Sequence, residues 1–178
     1  ANHLANNGWT LYLIARSTSQ LTLLEQHPQI AEIYRGDGQT PSLSRFLSKV
    51  RPDVVFHLAG ASTERGQRID IGKAIASNIS FGAHLLESMV ENQIFRLITT
   101  ETYWQHFDDQ NYSPVDFYAA TKQAFRDLLK YYFVSTRLAV VNLTLFDIYG
   151  PRDPRSKFFH DLRTARTTGV RPSFSPGN

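Results

Sequence analysis

Tyr118 and Lys122 are the residues of this sequence whose types and spacing best suit proton transfer. At a spacing of four residues on a helix, the two side chains project from the same face, which places an ammonium group near a phenol. A neighbouring positive charge lowers the pKa of a phenol from about 10 toward the range where it exchanges protons with carbonyls and alcohols. The pair therefore indicates acid–base chemistry at a carbonyl, although many helix surfaces carry such a pair without function.

A hydroxyl and a carboxyl follow the predicted strand that precedes this helix. The strand covers residues 95–99, and Thr100 and Glu101 come directly after it, where a parallel strand delivers side chains to a ligand crevice. We expect Thr100 to donate a hydrogen bond to the same substrate oxygen as Tyr118. We expect Glu101 to bind the substrate or to act as a structural acceptor. The alternative for the threonines is that they only satisfy backbone groups at the strand end.

Another predicted strand, at residues 53–58, ends in small residues that suit a cofactor wall. Leu58, Ala59 and Gly60 form this end, and small residues let a flat ring or a ribose approach the backbone closely. His57, just before them, has no partner at metal-binding spacing and is interpreted as a core residue. No metal site is predicted.

Two further strand ends indicate the adenosine side of a dinucleotide. Arg16 and Ser17 follow the predicted strand 10–15, where an acid would bind a free ribose hydroxyl and an arginine suits a 2′-phosphate. The sequence therefore favours NADP, with NAD possible. Asp37 and Gly38 follow the next strand and could meet the adenine, or they could form only a turn.

The elements that must position these residues alternate regularly along the chain. Strict alternation of strand and helix predicts an α/β fold, a Rossmann-like doubly wound parallel sheet. No G-x-G-x-x-G motif occurs, so we expect the fold to lack its first strand. Because residues 172–178 are a Pro/Ser/Gly stretch with no closing element, we also expect it to lack most of the C-terminal substrate lobe. Residues 1–150 are expected to form a partial NAD(P)-binding domain and residues 151–178 the start of a substrate-binding region. The predicted strands are 10–15, 30–34, 53–58, 95–99 and 138–143, and the predicted helices are 20–26, 42–50, 70–92, 118–133 and 156–168.

The composition excludes several classes of protein. With 178 residues, 42% of them hydrophobic and 20% charged, the chain suits one globular core. It has no cysteine, which excludes disulfides, thiol nucleophiles and thiolate metal ligands. The net charge of +3 is weak for a nucleic-acid binder, and no apolar run reaches the length of a membrane span. We expect a cytoplasmic protein without nucleic-acid or membrane partners.

Together these motifs resemble the extended short-chain dehydrogenase/reductase family, the NAD(P)-dependent epimerase/dehydratase group that acts on nucleotide sugars. The resemblance is carried by residues 57–60, Asn78, the pair at 99–100, residues 118–122 and residues 146–151. It implies that Tyr118 and the Thr100 hydroxyl hold the substrate oxygen. It also implies that Lys122 binds the nicotinamide ribose.

The resemblance also implies contacts beyond this central set. Asn78 would lie at the cofactor, and Leu145 and Ile148 would flank the nicotinamide. Asp147 would lie near the substrate phosphates, and the basic residues after it suit an anionic ligand of that kind. The residues assigned to the nucleotide-sugar substrate are Glu101, Asp147, Arg152, Arg155 and Lys157.

Within the family, the segments around Tyr103 and Tyr118 look most like bacterial CDP-linked dideoxysugar synthases of the abequose and paratose type. The predicted function is therefore an NAD(P)-dependent reductase of a nucleotide-linked 4-keto-6-deoxy sugar. A 4-epimerase, a 4,6-dehydratase and a non-catalytic nucleotide-binding module are the alternatives. A dehydratase would carry two adjacent acids after the threonine, where this chain has Glu101 and Thr102. Apolar residues on several faces of helices 71–92 and 118–133 predict a homodimer through this pair.

Overall fold

The structure is a computed structural model that describes residues 1–21, 24, 27–62, 69–146, 148–149 and 158–170. Contacts between Cα atoms divide the chain into two compact units, Ala1–Thr144 and Leu145–Asn178. The boundary expected after residue 150 stays a prediction. Among the described residues, no helix is both long and apolar enough to cross a bilayer.

The strands confirm the predicted α/β class and its parallel pairing. In the described part of the chain they form two sheets: β1 pairs in parallel with β2, while β3, β4 and β5 are neighbours in that order. The β3–β4 pair is parallel, with His57 in register with Thr99. No described strand pairs with both β1 and β3, where the sequence analysis expects the missing first strand. The bounds are β1 Leu11–Ala15, β2 Ile30–Arg35, β3 Val55–His57, β4 Arg96–Thr102 and β5 Ala139–Leu145.

The helices agree with the predicted pattern except in one place. The helix predicted over 70–92 is divided, because the turn Ala76–Ser80 is π-helical. The helix predicted near 20–26 falls mostly on residues outside those described. The bounds are α1 Asn2–Asn6, α2 Thr40–Val50, α3 Ile71–Ile75, α4 Phe81–Glu91, α5 Phe117–Ser135 and α6 Phe158–Thr168.

Aspartate caps fix where two of these helices begin. Asp70 accepts a hydrogen bond from the Lys73 backbone N–H (3.0 Å) at the start of α3. Asp116 accepts one from the Ala119 backbone N–H (2.8 Å) at the start of α5. A cap of this kind satisfies one of the free N–H groups at a helix start and stabilises it by roughly 1 kcal/mol. The Asp116 cap therefore sets where Tyr118 lies relative to the strand ends.

The core lies between β3, β4 and the helices α2, α4 and α5. Helices α4 and α5 approach closely at Gly82, where an added Cβ would overlap the ring of Phe125. Glycine at this position therefore determines how tightly the two helices pack. The buried apolar side chains are Leu43, Leu47, Val55, Leu85, Leu86, Met89, Ile94, Leu97, Phe125, Leu129 and Leu138.

Strand β4 presents different residues to its two faces. Leu97, Thr99 and Glu101 are buried, while Ile98, Thr100 and Thr102 are only partly buried. Because side chains alternate across a strand, Leu97, Thr99 and Glu101 share one face of the sheet, and this is the face that packs against α4 and α5. His57, the register partner of Thr99, packs on that face against rings of α4 and α5.

Candidate functional site

The first turns of α5 hold Tyr118 and Lys122 one helical turn apart. Tyr118 is half-buried, and Lys122 is only 5% exposed. Burial and the negative charge of Asp116 raise the pKa of the Tyr118 phenol above its ordinary value. The expectation that Lys122 lowers this pKa is therefore wrong for this structure, because burial and Asp116 both disfavour the phenolate. The phenol is protonated at neutral pH and is suited to donating a proton.

Lys122 is a buried cation whose ammonium forms no hydrogen bond or ion pair with any residue that the structure describes. Burial lowers its pKa, and the charge of Glu101 opposes that shift. A buried ammonium has three donors to satisfy, and leaving them unsatisfied in apolar surroundings costs several kcal/mol. These unused donors fit the hydroxyl groups of a bound ribose.

His57 is buried beside this lysine and packs against aromatic rings. Its ring lies 5.6 Å from that of Phe81 and 5.1 Å from that of Phe125, measured between centroids. Burial, followed by the charge of Lys122, lowers the pKa of His57 to about 4. The imidazole is therefore neutral near pH 7. No group of three metal-ligating side chains occurs within the described ranges.

The two threonines at the end of β4 lie on opposite faces of the strand. Thr99 is buried on the helix-bearing face, and its hydroxyl donates to the His57 carbonyl (3.3 Å). Thr100 is half-buried on the other face. The expectation that Thr100 shares a site with Tyr118 is therefore not met, because strand alternation turns it away from α5. The hydroxyl on the face of Lys122 is that of Thr99.

Glu101 is a buried carboxylate with donors on both oxygens. The Asn142 side-chain amide donates to it at 2.7 Å, and the Thr144 hydroxyl donates at 2.6 Å. The guanidinium of Arg126 lies 3.4 Å from the same carboxylate. Glu101 is 7% exposed, and protein donors already occupy both of its oxygens. Of the two roles expected for it, the structure supports the structural acceptor.

The segment after β3 is held in place by Asn78, which lies in the π-helical turn. The Asn78 side chain accepts from the Ala61 backbone N–H (2.6 Å) and donates to the Ala61 carbonyl (2.9 Å). Its second N–H donates to the Thr121 hydroxyl at 2.9 Å. Asn78 was expected to contact a cofactor, but its amide is committed to the protein. It instead fixes the segment beside the Tyr118 helix.

The residues after β3 that are expected to line the cofactor are accessible to a ligand. Leu58, Ala59 and Gly60 are exposed directly after β3. A Cβ at Gly60 would lie 3.3 Å from the side-chain oxygen of Asn78, a close approach that favours glycine there. The exposed backbone and the unused donors of Lys122 together fit a flat ring and its ribose.

The loop after β1 carries Arg16 and Ser17, both exposed. The sequence analysis missed Arg35 at the end of β2, whose guanidinium donates to the carbonyls of Arg16 (3.2 Å), Ser17 (3.3 Å) and Ser19 (2.9 Å). The position of Arg35 at the adjacent strand end could have indicated it. These three bonds hold the backbone of the loop while the Arg16 side chain stays exposed.

Asp37 orders the turn between β2 and α2. It accepts from the Gln39 backbone N–H (3.0 Å), from the Tyr34 hydroxyl (3.4 Å) and from the Ser42 hydroxyl. The bonds from Ser42 and then Gln39 lower the pKa of Asp37. Gly38 has a φ of 71°, a value that favours glycine. The turn interpretation of this pair therefore has direct support.

The remaining predicted residues belong to the second unit. Leu145 ends β5, and Ile148 is exposed. Asp147, Arg152, Arg155 and Lys157 lie outside the described residues.

A second group that the sequence analysis missed surrounds the turn after β4. Gln105 is fully buried, and its side chain accepts from the Thr102 backbone N–H (3.0 Å) and donates to Gln123 of α5 (3.0 Å). Thr121 receives the Asn78 bond and donates to the Tyr118 carbonyl at 2.7 Å. These polar side chains tie the strand ends to α5, and no spacing signal in the sequence distinguishes them.

Several solved structures share this fold. UDP-glucuronic acid 4-epimerase of Bacillus cereus in complex with NAD is 22% identical, with a TM-score of 0.73 over 93% of this chain and 59% of that chain. UDP-glucose 4-epimerase of Thermus thermophilus in complex with NAD is 23% identical, with a TM-score of 0.74 over 86% and 53%. The Bordetella bronchiseptica enzyme WbmG in complex with NAD is 19% identical, with a TM-score of 0.77 over 96% and 56%.

The chain thus spans between half and three fifths of the length of these structures, and the likeness at this identity establishes the Rossmann-like fold. No curated protein sequence matches the chain. A sequence model of the NAD dependent epimerase/dehydratase family matches residues 1–173. Because that match extends over nearly the whole chain, the protein belongs to the NAD dependent epimerase/dehydratase family.

Proposed function

We propose that the full-length protein is an NAD(P)-dependent reductase of a nucleotide-linked 4-keto-6-deoxy sugar. The observation that carries this proposal is the start of α5. There a protonated phenol, Tyr118, stands one turn from a buried ammonium, Lys122, that has no partner among the described residues. The first group can donate a proton and the second has donors free for a ligand.

When bound, the nicotinamide supplies a hydride to the carbonyl carbon. Tyr118 donates its proton to the carbonyl oxygen, which becomes the hydroxyl of the product, and the phenolate regains a proton from solvent. Lys122 binds the ribose hydroxyls with its ammonium donors. The elevated pKa of Tyr118 favours this direction because it keeps the phenol protonated before the reaction.

Besides Tyr118, a second hydroxyl is expected to donate to the substrate oxygen, and two neighbouring residues, Thr99 and Thr100, are candidates for it. Thr100 is the residue expected from the sequence, while Thr99 shares the strand face with Glu101 and with the rings around His57. We place Thr99 in the role of donor to the substrate oxygen. Its present acceptor is a backbone carbonyl at 3.3 Å, a long bond that a substrate oxygen could replace.

For the cofactor we propose NADP, with Arg16 at the 2′-phosphate. Arg16 is exposed at the end of β1, and Arg35 fixes the backbone beneath it. Leu58, Ala59 and Gly60 are proposed to line the ring side of the cofactor.

The proposed substrate is CDP-linked, as the resemblance to abequose and paratose synthases suggests. Arg152, Arg155 and Lys157 are proposed to supply the positive charge for its phosphates and to neutralise Asp147, which the resemblance places near those phosphates. The structure adds an argument against dehydration, since Glu101 is occupied by three donors and Thr102 offers no base.

A 4-epimerase is the second candidate, because the same Tyr118–Lys122 pair can remove and return a proton. An epimerase returns the hydride to the sugar and consumes no cofactor overall. The test is to incubate the full-length protein with NADPH and 4-keto-6-deoxy sugar nucleotides and to follow absorbance at the nicotinamide band. Stoichiometric oxidation of NADPH supports the reductase, while sugar inversion without net oxidation overturns it in favour of the epimerase.

The proposed assembly is a cytoplasmic homodimer formed through α3–α4 and α5. These helices expose large apolar side chains, among them Ile71, Ile75, Tyr131, Phe133 and Val134. Burying these side chains against a second copy would remove them from water. Light scattering of the full-length protein at micromolar concentration tests this, and a monomeric mass contradicts it.

A further inference from the structure

We propose that Gln105 is a positioning residue for the proton transfer: its buried amide holds the end of β4 and the Tyr118 helix at a fixed separation. It does so through a chain of hydrogen bonds that can run in only one direction. The catalytic consequence rests on the proposed function. The hydrogen-bond chain itself does not, and urea unfolding tests it without any activity.

Gln105 contacts three segments that meet at the candidate site. Its side-chain oxygen accepts from the backbone N–H of Thr102 (3.0 Å), the last residue of β4. Its side-chain NH2 group donates to Gln123 of α5 (3.0 Å), the residue that follows Lys122. Its backbone carbonyl accepts from the Ser113 backbone N–H (2.9 Å), in the segment that leads into α5. Strand, helix and connecting segment are therefore joined at one residue.

The residues that Gln105 binds are close to the reacting groups. Thr102 lies three residues after Thr99 on β4, and Gln123 lies five residues after Tyr118 on α5. The Gln105 side chain is fully buried, so water cannot replace a bond that it loses. A shift of this amide moves the strand-end hydroxyl relative to the phenol, and a misplacement of about 1 Å can slow a reaction about a hundredfold.

The groups at the two ends fix the direction of the hydrogen-bond chain. The Thr102 backbone N–H only donates, so the oxygen of Gln105 faces it and the NH2 group faces Gln123. The side-chain oxygen of Gln123 accepts that bond. Its own NH2 group donates to Asp127 (3.1 Å), a carboxylate, which only accepts. Each amide is thereby held in one of its two orientations.

This direction gives a test that separates hydrogen bonding from side-chain size. Gln105→Glu keeps the size and the bond from Thr102, but it presents an oxygen to the oxygen of Gln123. Gln123 must then turn over, which places its own oxygen against the Asp127 carboxylate. Asp127→Asn supplies an NH2 group at that point, so the double variant can form the whole hydrogen-bond chain in reverse.

The experiment compares the wild type, Gln105→Glu, Asp127→Asn and the double variant of the full-length protein. Urea midpoints are measured, together with single-turnover reduction of a CDP-linked 4-keto-6-deoxy sugar by NADPH. We expect Asp127→Asn to match the wild type, because its amide oxygen still accepts from Gln123. Gln105→Glu is expected to lower the urea midpoint and to slow the reduction about tenfold or more, with NADPH binding unchanged within about twofold. The double variant should recover at least about half of both losses.

Two controls separate the direction of the bonds from the effect of charge. Asp127→Ala removes the same charge as Asp127→Asn but offers no donor, so it should leave the losses of Gln105→Glu in place. Gln110→Glu adds a charge at an exposed position of the same loop and should behave as the wild type. Equal recovery with Asp127→Ala, or no recovery with Asp127→Asn, overturns the proposal.

A second variant keeps the proposal testable where Gln105→Glu fails to fold. Gln123→Met breaks the same hydrogen-bond chain from its less buried side. It is expected to slow the reduction about tenfold with NADPH binding retained, and a wild-type rate overturns the proposal. If the urea midpoints follow the expected pattern but the wild type oxidises no NADPH, only the proposed function fails.

Discussion

The buried imidazole of His57 predicts a specific loss of stability in mild acid. Its pKa is about 4 in the folded protein, against 6.5 for an ordinary histidine, because the folded core excludes the charged form. The unfolded chain therefore binds a proton at a pH where the folded protein does not. Stability is fully present above pH 6.5 and falls as the pH drops toward 4. The shift corresponds to about 3 kcal/mol in all, of which about 2 kcal/mol is lost between pH 7 and pH 5.

The assay is urea unfolding followed by fluorescence at pH 7, 6 and 5, for the wild type and for His57→Leu. Leucine does not titrate, so the variant is expected to retain about 2 kcal/mol more of its own pH 7 stability at pH 5 than the wild type does. His3→Gln, at an exposed position, is the control and should follow the wild type. Equal losses in the wild type and in His57→Leu would refute the reasoning, because the proton would then bind elsewhere.

Three other substitutions test separate parts of the structure. Thr99→Val is expected to slow the reduction about a hundredfold while Thr100→Val changes it less than about threefold, measured as single-turnover rates; the reverse order would restore the role expected for Thr100. Gly82→Ala is expected to cost about 1–3 kcal/mol of unfolding free energy because its Cβ overlaps an aromatic ring of α5, whereas Gly72→Ala, whose Cβ has room, should cost nothing; the urea midpoints compare them. Arg16→Ala should weaken NADPH binding about tenfold or more and leave NADH binding nearly unchanged in calorimetry; equal losses would show that Arg16 does not read the phosphate.

Much of the fold could be predicted because it depends on periodicity. The alternation of apolar runs gave the positions of the strands and helices within a few residues, and α5 was expected at 118–133 and observed at Phe117–Ser135. The π-helical turn at Ala76–Ser80 was not predictable, since a local change of helical period leaves no mark in the apolar pattern. It is nevertheless the turn that directs Asn78 at Ala61 and Thr121.

The candidate site was harder to predict, because it depends on direction and burial. The spacing of Tyr118 and Lys122 placed them on one helix face, but it gave the wrong sign for the pKa of the phenol, which burial and Asp116 raise. Thr99 and Thr100 are identical in sequence terms and differ only in the strand face that each occupies. Which threonine is buried against the helices depends on tertiary contacts between residues more than forty positions apart, such as the hydrogen bond between Thr99 and His57.

The start of α5 is proposed to protonate a sugar carbonyl during hydride transfer. The most direct measurement uses NADPH deuterated at the transferring carbon, with the full-length protein and its Tyr118→Phe variant, and determines deuterium at C4 of the sugar by mass spectrometry and NMR. We predict one deuterium at C4 in the wild-type product and a rate at least about a hundredfold lower in Tyr118→Phe, with cofactor binding retained. Product without deuterium at C4, or an unchanged rate in Tyr118→Phe, would contradict the claim.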